Sequence, residues 1–309
     1  MIAFIFPGQG SQHVGMGRAL ADAHPICRAT FDEADAILGE PLSRIIFEGP
    51  EDQLTLTENA QPAILTVSTA AHRLLQSRGL VPAFVAGHSL GEYSANVAAG
   101  TFSFADALLI VRRRGRYMQE AVPVGEGAMA AILGLDAEQV ARACAEAAEG
   151  QVVSAANLNG PGQVVIGGSR EAVKRAGERA RALGAKRVIH LNVSAPFHTP
   201  LMKPAAERLA PELRALATRN PRLPVVANVD AEPKRDAGAV IDALIRQIAS
   251  PVRWEDSVVR LASEGVTTYV EVGPGTVLTG LVRKIRREAT ALAFGTPDDL
   301  ASVESLLHV

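Results

Sequence analysis

A reactive serine is indicated by the five residues from Gly87 to Gly91, which spell G-H-S-L-G. A short apolar run ends just before them at Ala86, and a segment rich in helix-forming residues follows them to Ala99. A strand, a tight turn and a helix form the setting in which a G-x-S-x-G motif exposes its serine as a nucleophile at a helix N-terminus. The pentapeptide alone also fits an ordinary turn, so it is this setting that predicts a catalytic Ser89.

A serine nucleophile needs a general base, and His198 is the histidine best placed to serve as one. It lies in VSAPFHTP, residues 193–200, where prolines stiffen the chain. A rigid loop can hold an imidazole within hydrogen-bonding distance of a serine hydroxyl. An ordinary loop histidine is the alternative. His88 directly precedes the serine, so its side chain leaves the turn in another direction.

The first loop, FPGQGSQ at residues 6–12, follows a predicted strand and could bind a phosphate or an oxyanion. It matches neither common nucleotide-binding motif. His13 stands where the dinucleotide motif needs glycine, and Met16 stands where the P-loop needs lysine. A glycine-flanked glutamine, Gln9, could instead supply a donor to an oxyanion.

Composition restricts the class of protein. The chain has 309 residues, of which 48% are hydrophobic, and a net charge of -2. This predicts a large buried core and no overall field that would attract nucleic acid. No signal peptide or membrane span is predicted. Cys27 and Cys144, without a C-x-x-C motif, predict a reducing, cytoplasmic setting and neither a disulfide framework nor a bound metal. A monomer is the expected oligomeric state.

The order of predicted elements indicates an α/β fold with a hydrolase-like large subdomain, built on a parallel sheet, and an inserted small one. The large subdomain is assigned to residues 1–123 and 194–309, and the insert to residues 124–193. Within the insert, predicted strands and helices follow the order β-α-β-β-α-β, which is typical of a ferredoxin-like unit. Later strands are predicted at 225–228 and 268–272, and the segment after Gly273-Pro274-Gly275 is predicted to be the last helix.

Several ordered motifs together resemble the malonyl-coenzyme A:acyl carrier protein transacylase family of fatty acid synthesis, and the resemblance runs through most of the chain. They are FPGQGSQ at 6–12, TENAQPA at 57–63, GHSLGEY at 87–93, RGRYMQ at 114–119, NGPGQ at 159–163, the loop of His198 and GPG at 273–275.

The resemblance implies a role for each matched residue. Ser89 would attack a thioester carbonyl while His198 takes and returns its proton. The backbone N–H groups of Gln9 and Leu90 would hold the oxyanion. Gln247 would orient His198 through its main-chain carbonyl, so a Ser-His dyad replaces the acid-containing triad of α/β-hydrolases.

The resemblance also implies an acyl specificity. Arg114 would bind the malonyl carboxylate, a task that suits a permanently charged, fork-shaped guanidinium. Phe197 would limit the space beside the malonyl α-carbon. Arg112 and Arg113, taken as ordinary helix residues, are predicted to be solvated.

The implied reaction moves malonyl from malonyl-coenzyme A to Ser89 and then to the phosphopantetheine thiol of acyl carrier protein, with no metal or redox cofactor. A basic rim is expected to meet these acidic partners, with candidates at Lys186, Arg187, Arg283, Lys284 and Arg286.

Two other classes of protein stay open: a serine hydrolase of esters or thioesters, and a non-catalytic carrier-docking protein. Within the family, fatty acid synthesis, a polyketide synthase lacking its own acyltransferase, and malonate metabolism are alternatives.

Overall fold

The computed structural model describes residues 1–123, 125–193 and 195–308. Within these ranges there are ten strands: β1 (Ile2–Phe6), β2 (Phe84–Gly87), β3 (Gly127–Leu133), β4 (Val153–Gly160), β5 (Gln163–Ser169), β6 (Arg187–His190), β7 (Val225–Val226), β8 (Pro233–Lys234), β9 (Thr268–Val272) and β10 (Thr290–Phe294).

The same ranges contain fourteen α-helices: α1 (Arg18–Ala23), α2 (Pro25–Leu38), α3 (Leu42–Glu48), α4 (Glu51–Thr55), α5 (Thr57–Ser77), α6 (Gly91–Ala99), α7 (Phe104–Glu120), α8 (Ala137–Ala147), α9 (Arg170–Ala182), α10 (Lys203–Arg214), α11 (Ala237–Gln247), α12 (Trp254–Ser263), α13 (Val277–Ile285) and α14 (Leu300–Glu304).

The larger sheet has the strand order β10-β9-β1-β2-β7-β8 and is parallel except for β8. Its centre is β1, which pairs with β2 on one side and β9 on the other. Parallel strands end at the same edge of a sheet, where open α/β folds bind their ligands. The loops after β1 and β2, which carry Gln9 and Ser89, therefore meet at this edge.

Both faces of the larger sheet are covered, which explains why β1 is apolar at every position. Successive side chains of a strand point to opposite faces. Phe4 and Phe6 accordingly belong to one buried cluster, which includes eight residues of α5. Ala3 and Ile5 belong to another, which includes Trp254 of α12.

The smaller sheet has the order β4-β5-β3-β6 and is antiparallel throughout. Apolar side chains of α8 and α9 pack on one face and form a third buried cluster. This confirms the predicted β-α-β-β-α-β order and the ferredoxin-like unit. The predicted subdomain boundaries stay a prediction, because Val124 and Ser194 lie outside the described residues.

The two sheets are joined close to the predicted site. Val252, just before α12, forms a parallel bridge with Asn157 of β4. The amide of Val252 donates to Ala156 at 2.9 Å, and the amide of Leu158 donates back to Val252 at 2.8 Å. These backbone bonds hold β4 against the large subdomain. They also fix the position of Asn157, which lines the same cavity as Ser89.

The C-terminal region differs from the sequence prediction. The predicted last helix is α13, but β10 and α14 follow it, and β10 pairs with β9 along its whole length. The strand predicted at 225–228 is also shorter, because only Val225 and Val226 pair with a neighbour. Asn228 turns instead toward the site.

Neither a membrane-spanning helix nor a metal-binding cluster is found in the described part of the chain: no helix there is both long and apolar enough, and no group of three His, Cys, Asp or Glu side chains could hold an ion.

Candidate active site

The turn between β2 and α6 is a nucleophile elbow that only glycine permits at two positions. A Cβ atom on Gly87 would lie 1.9 Å from the backbone carbon of Gly91, and one on Gly91 would lie 2.0 Å from the carbonyl oxygen of Phe6. The serine between them has a φ of 52°, a left-handed conformation that is strained for a residue with a side chain. The strand, turn and helix predicted from G-H-S-L-G are therefore confirmed.

The structure brings Ser89 and His198 together although 109 residues separate them in the chain. The Ser89 hydroxyl lies 2.6 Å from Nε2 of His198, and Nδ1 of His198 lies 3.0 Å from the main-chain oxygen of Gln247. A carbonyl oxygen can only accept, so Nδ1 donates to it and Nε2 is left to accept from the serine. This is the arrangement that a general base requires.

His198 is held in its neutral form by its surroundings. Its side chain is buried, and burial together with the nearby Arg114 guanidinium lowers its pKa to about 3. A neutral imidazole is able to take a proton from the Ser89 hydroxyl at any pH well above this value.

The first loop lies directly against the elbow. A Cβ atom on Gly8 would be 2.3 Å from the main-chain oxygen of His88, so this close approach again requires glycine. The side chain of the next residue, Gln9, donates to the Thr57 hydroxyl at 3.2 Å, and Gln9 lines the cavity that contains Ser89. Leu90 directly precedes α6, at the positive end of the helix. The oxyanion role of Gln9 and Leu90 stays a prediction.

Arg114 reaches the serine from α7 and is almost fully buried. Its Nη2 atom donates to the Ser89 hydroxyl at 3.1 Å and to Oε1 of Gln247 at 2.9 Å, and its Nη1 atom donates to Oε1 of Gln61 at 2.7 Å. Within the described residues, its hydrogen bonds thus go to uncharged groups. Burial lowers the pKa of this guanidinium, which marks a buried cation suited to an anionic ligand.

The neighbouring arginines do not enter the site. Arg113 is exposed and pairs with Glu212 at 2.6 Å, as its predicted solvated position requires. The prediction for Arg112 is wrong, because that side chain is largely buried and bonds to Asn59 and Glu40. Helix periodicity alone does not reveal that α2 and α5 cover this side of α7.

The site opens into a cavity of about 920 Å³, within the range of small-molecule sites. Its wall includes Gln9, Gln61, Asn157 and Phe197 in addition to Ser89 and Arg114. Phe197 is largely buried and directly precedes His198. Its role in limiting the space beside the malonyl α-carbon stays a prediction. The five predicted rim cations do not line this cavity; among them, Lys284 contacts Gln163 of the smaller sheet.

Some residues that the sequence does not indicate are hydrogen-bonded to Ser89, Arg114 or Gln247; they include Gln61, Glu92 and Asn228. Asn228 accepts from the Ser89 backbone N–H at 2.7 Å and donates to Gly87 at 2.6 Å, so it supports the strained elbow. A polar residue at the carboxyl end of a predicted parallel strand was the available signal. Gln61 and Glu92 lie inside motifs that carry the resemblance, but nothing in the local pattern indicates their contacts.

A family model, related sequences and solved structures all match nearly the whole chain. Residues 3–298 match the family model of the acyl transferase domain. The chain is 52% identical over 305 residues to the malonyl CoA-acyl carrier protein transacylase of Escherichia coli strain K12, covering 98% of this chain and 99% of the relative.

Solved structures agree with this result. An acyl carrier protein S-malonyltransferase from Vibrio cholerae superposes with a TM-score of 0.96 at 48% identity, covering 98% of this chain and 99% of that one. A malonyl-transacylase solved in complex with its type II polyketide synthase acyl-carrier protein gives 0.97 at 47% identity, covering 99% of both chains.

Proposed function

We propose that this chain, which belongs to the malonyl-coenzyme A:acyl carrier protein transacylase family, transfers a malonyl group from malonyl-CoA to the phosphopantetheine thiol of acyl carrier protein through a malonyl ester on Ser89. The observation that carries the proposal is the buried Arg114 guanidinium, 3.1 Å from the Ser89 hydroxyl. A simple ester or thioester hydrolase has no need for a buried cation at that place.

The first half-reaction loads the enzyme. Nε2 of His198 removes the hydroxyl proton as Ser89 Oγ attacks the thioester carbon, and the negative charge that develops on the carbonyl oxygen is stabilised by the Gln9 and Leu90 N–H groups. The C–S bond then breaks, and the departing thiolate takes the proton from His198. The main-chain oxygen of Gln247 stabilises the transient imidazolium, although less than a carboxylate would.

The second half-reaction unloads the enzyme along the same path. His198 takes the proton of the carrier's phosphopantetheine thiol, and the sulfur attacks the ester carbon on Ser89. The C–O bond breaks, and Ser89 Oγ recovers the proton from His198. Every step is an acyl transfer coupled to a proton transfer, so the proposed reaction needs neither a metal nor a redox cofactor.

Fatty acid synthesis is the proposed use of the product. The alternative is a discrete acyltransferase that serves a polyketide synthase. One observation supports this alternative: the chain is similar to a transacylase solved with a type II polyketide synthase carrier. A serine thioesterase is less well supported, because it leaves Arg114 without a purpose.

A cytoplasmic location and a monomeric state are part of the proposal. The location is supported by Cys27 and Cys144, which are both buried and free, as is usual in a reducing compartment. Size-exclusion chromatography with light scattering measures the oligomeric state directly.

The deciding experiment incubates the protein with labelled malonyl-CoA and holo-acyl carrier protein. We expect malonyl-carrier as the product and, when the carrier is left out, a malonyl adduct that peptide mass spectrometry locates on Ser89. Free malonate in place of malonyl-carrier would identify a hydrolase, and the absence of any adduct would favour a carrier-docking protein. Parallel reactions with fatty acid and polyketide carriers separate the two pathways by their relative kcat/KM.

The pH dependence of loading tests the state of His198. Since its pKa is lowered to about 3, kcat/KM for malonylation of Ser89 should show no decline from histidine protonation between pH 8 and pH 5. The unfolded chain binds the proton near the ordinary value of 6.5, so stability falls as the pH drops from there toward 3. Circular dichroism must therefore confirm folding at each pH. Burial raises the pKa of Glu92, close to this site, to about 7, so the Glu92→Gln variant is measured alongside. An acid limb with a midpoint near 6.5 that persists in the folded Glu92→Gln variant would contradict the assignment.

A further inference from the structure

A layer of buried polar groups lies behind the Ser-His pair, and the reaction steps above do not use it. It consists of Glu92 in the first turn of α6, Asn228 and the side chain of Gln247 at the end of α11, all with 1% exposure or less. Buried polar groups are unfavourable unless they are hydrogen-bonded, so the direction of each bond in this layer matters.

The side-chain amide of Gln247 has its two ends in different surroundings. Its nitrogen donates to Oε2 of Glu92 at 2.8 Å and to the main-chain oxygen of Ser89 at 3.0 Å. Its oxygen accepts from Nη2 of Arg114 at 2.9 Å. If the amide were reversed, its NH2 group would face the guanidinium, which can only donate, and both groups would lose a partner.

Glu92 supplies a further reason for this orientation. Its Oε2 atom also accepts from the backbone N–H of Asn228 at 2.9 Å, so the carboxyl group is fixed from a second side. Burial raises the pKa of Glu92 to about 7, against the lowering effect of these two bonds and of the nearby Arg114 guanidinium. The Glu92 carboxyl oxygen can accept a hydrogen bond from Gln247 whether Glu92 is ionised or neutral. The position of the Glu92 carboxyl group, more than its charge, therefore decides which end of the Gln247 amide faces Arg114.

We propose that Glu92 is a positioning residue for acyl selection: its carboxyl group holds the nitrogen end of the Gln247 amide, which directs the oxygen end at Arg114 and keeps the guanidinium beside Ser89. The inference rests on the proposed function and deepens it. It gives Gln247 a second task, because the main-chain oxygen orients His198 while the side chain orients the arginine that recognises the acyl group.

The test compares two conservative variants by the ratio of kcat/KM for malonyl-CoA to kcat/KM for acetyl-CoA. Glu92→Asp withdraws the carboxyl oxygens by about the length of one C–C bond, ~1.5 Å, which breaks the contact with Gln247. We expect the ratio to fall about tenfold, the effect of losing one hydrogen bond that supports a charged group. Glu92→Gln keeps an accepting oxygen at the original distance and should hold the ratio within about threefold of the native value.

Glu271→Asp is the matched control. Glu271 is also a fully buried carboxyl group that accepts backbone N–H bonds, from Leu278 and Thr279, but it supports the start of α13. Shortening it should lower the melting temperature and leave the malonyl-to-acetyl ratio unchanged. A purely structural role for Glu92 would give the same outcome for Glu92→Asp, with both acyl groups affected alike, and would overturn the inference.

Gln247→Leu keeps the main-chain oxygen for His198 and removes only the side-chain amide, so it tests the same connection if Glu92→Asp does not fold. We expect a similar fall in the ratio, and an unchanged ratio overturns the inference. In a folded double variant, Glu92→Asp should cause no further fall, because both changes break the same connection. Failure of the proposed function is recognised separately, since the native protein itself would then form no malonyl-carrier.

Discussion

Replacing Ser89 by alanine is expected to abolish the malonyl-enzyme adduct and to lower malonylation of the carrier by a factor on the order of 10⁴ to 10⁶. The reason is that the hydroxyl is the acceptor of the acyl group in the first half-reaction and its leaving group in the second. Arg114 and the cavity remain, so malonyl-CoA should still bind. Intact-protein mass spectrometry measures the adduct, and a labelled-carrier assay measures the rate.

Ser94→Ala is a suitable control for this experiment. Ser94 lies in α6, the helix that follows Ser89, is more deeply buried than Ser89, and its hydroxyl has no hydrogen-bond partner among the described residues. Its replacement should leave both adduct and rate unchanged. A malonyl adduct that persists in the Ser89 variant, or disappears in the Ser94 variant, would show that the acylated residue lies elsewhere.

The elbow could be predicted from sequence because it depends on local sterics. Gly87 and Gly91 stand where a Cβ atom would meet backbone at about 2 Å, so the spacing of the glycines itself specifies the turn. The insert was predictable for a similar reason, since its alternating apolar segments and its Pro161-Gly162 turn are local signals. Such features need no knowledge of how distant parts of the chain meet.

The partners of Ser89 depend on long-range packing, and sequence spacing does not determine it. His198 lies 109 residues away, and Gln247 lies 158 residues away. The rigid loop made His198 a candidate on local grounds, whereas Gln247 was chosen through the family resemblance alone. The structure places both within one hydrogen-bonded group with Ser89.

Glu92 illustrates why the remaining site residues were missed. A glutamate in the first turn of a helix is usually a solvated group that stabilises the helix dipole. Here Gln247 of α11 and Asn228 contact it, and it becomes fully buried. That burial comes from segments more than a hundred residues away in sequence, as the separations of 136 and 155 residues show. Local composition therefore could not reveal it.

Replacing Arg114 by alanine is expected to lower kcat/KM for malonyl-CoA by a factor on the order of 10³, as the loss of a buried charge pair with the substrate implies, and to favour acetyl-CoA relative to malonyl-CoA. An acetyl group leaves the buried guanidinium without an anionic partner, and removal of the guanidinium also removes that penalty. Arg114→Lys keeps a charge but loses the fork geometry, so its ratio should be intermediate. Steady-state kinetics with both donors measure the change.

Arg113→Ala is the control for this last prediction, because Arg113 is the exposed neighbour on the same helix and should leave the acyl preference unchanged. An unchanged preference in the Arg114 variant would contradict the assigned role.

A second readout of the Arg114→Ala variant, the pH dependence of transfer, is independent of the acyl carboxylate. Arg114 also lowers the pKa of His198, after burial the next largest cause. The acid limb of acetyl transfer should therefore move to higher pH in the Arg114→Ala variant, while burial still keeps its midpoint below the ordinary histidine value.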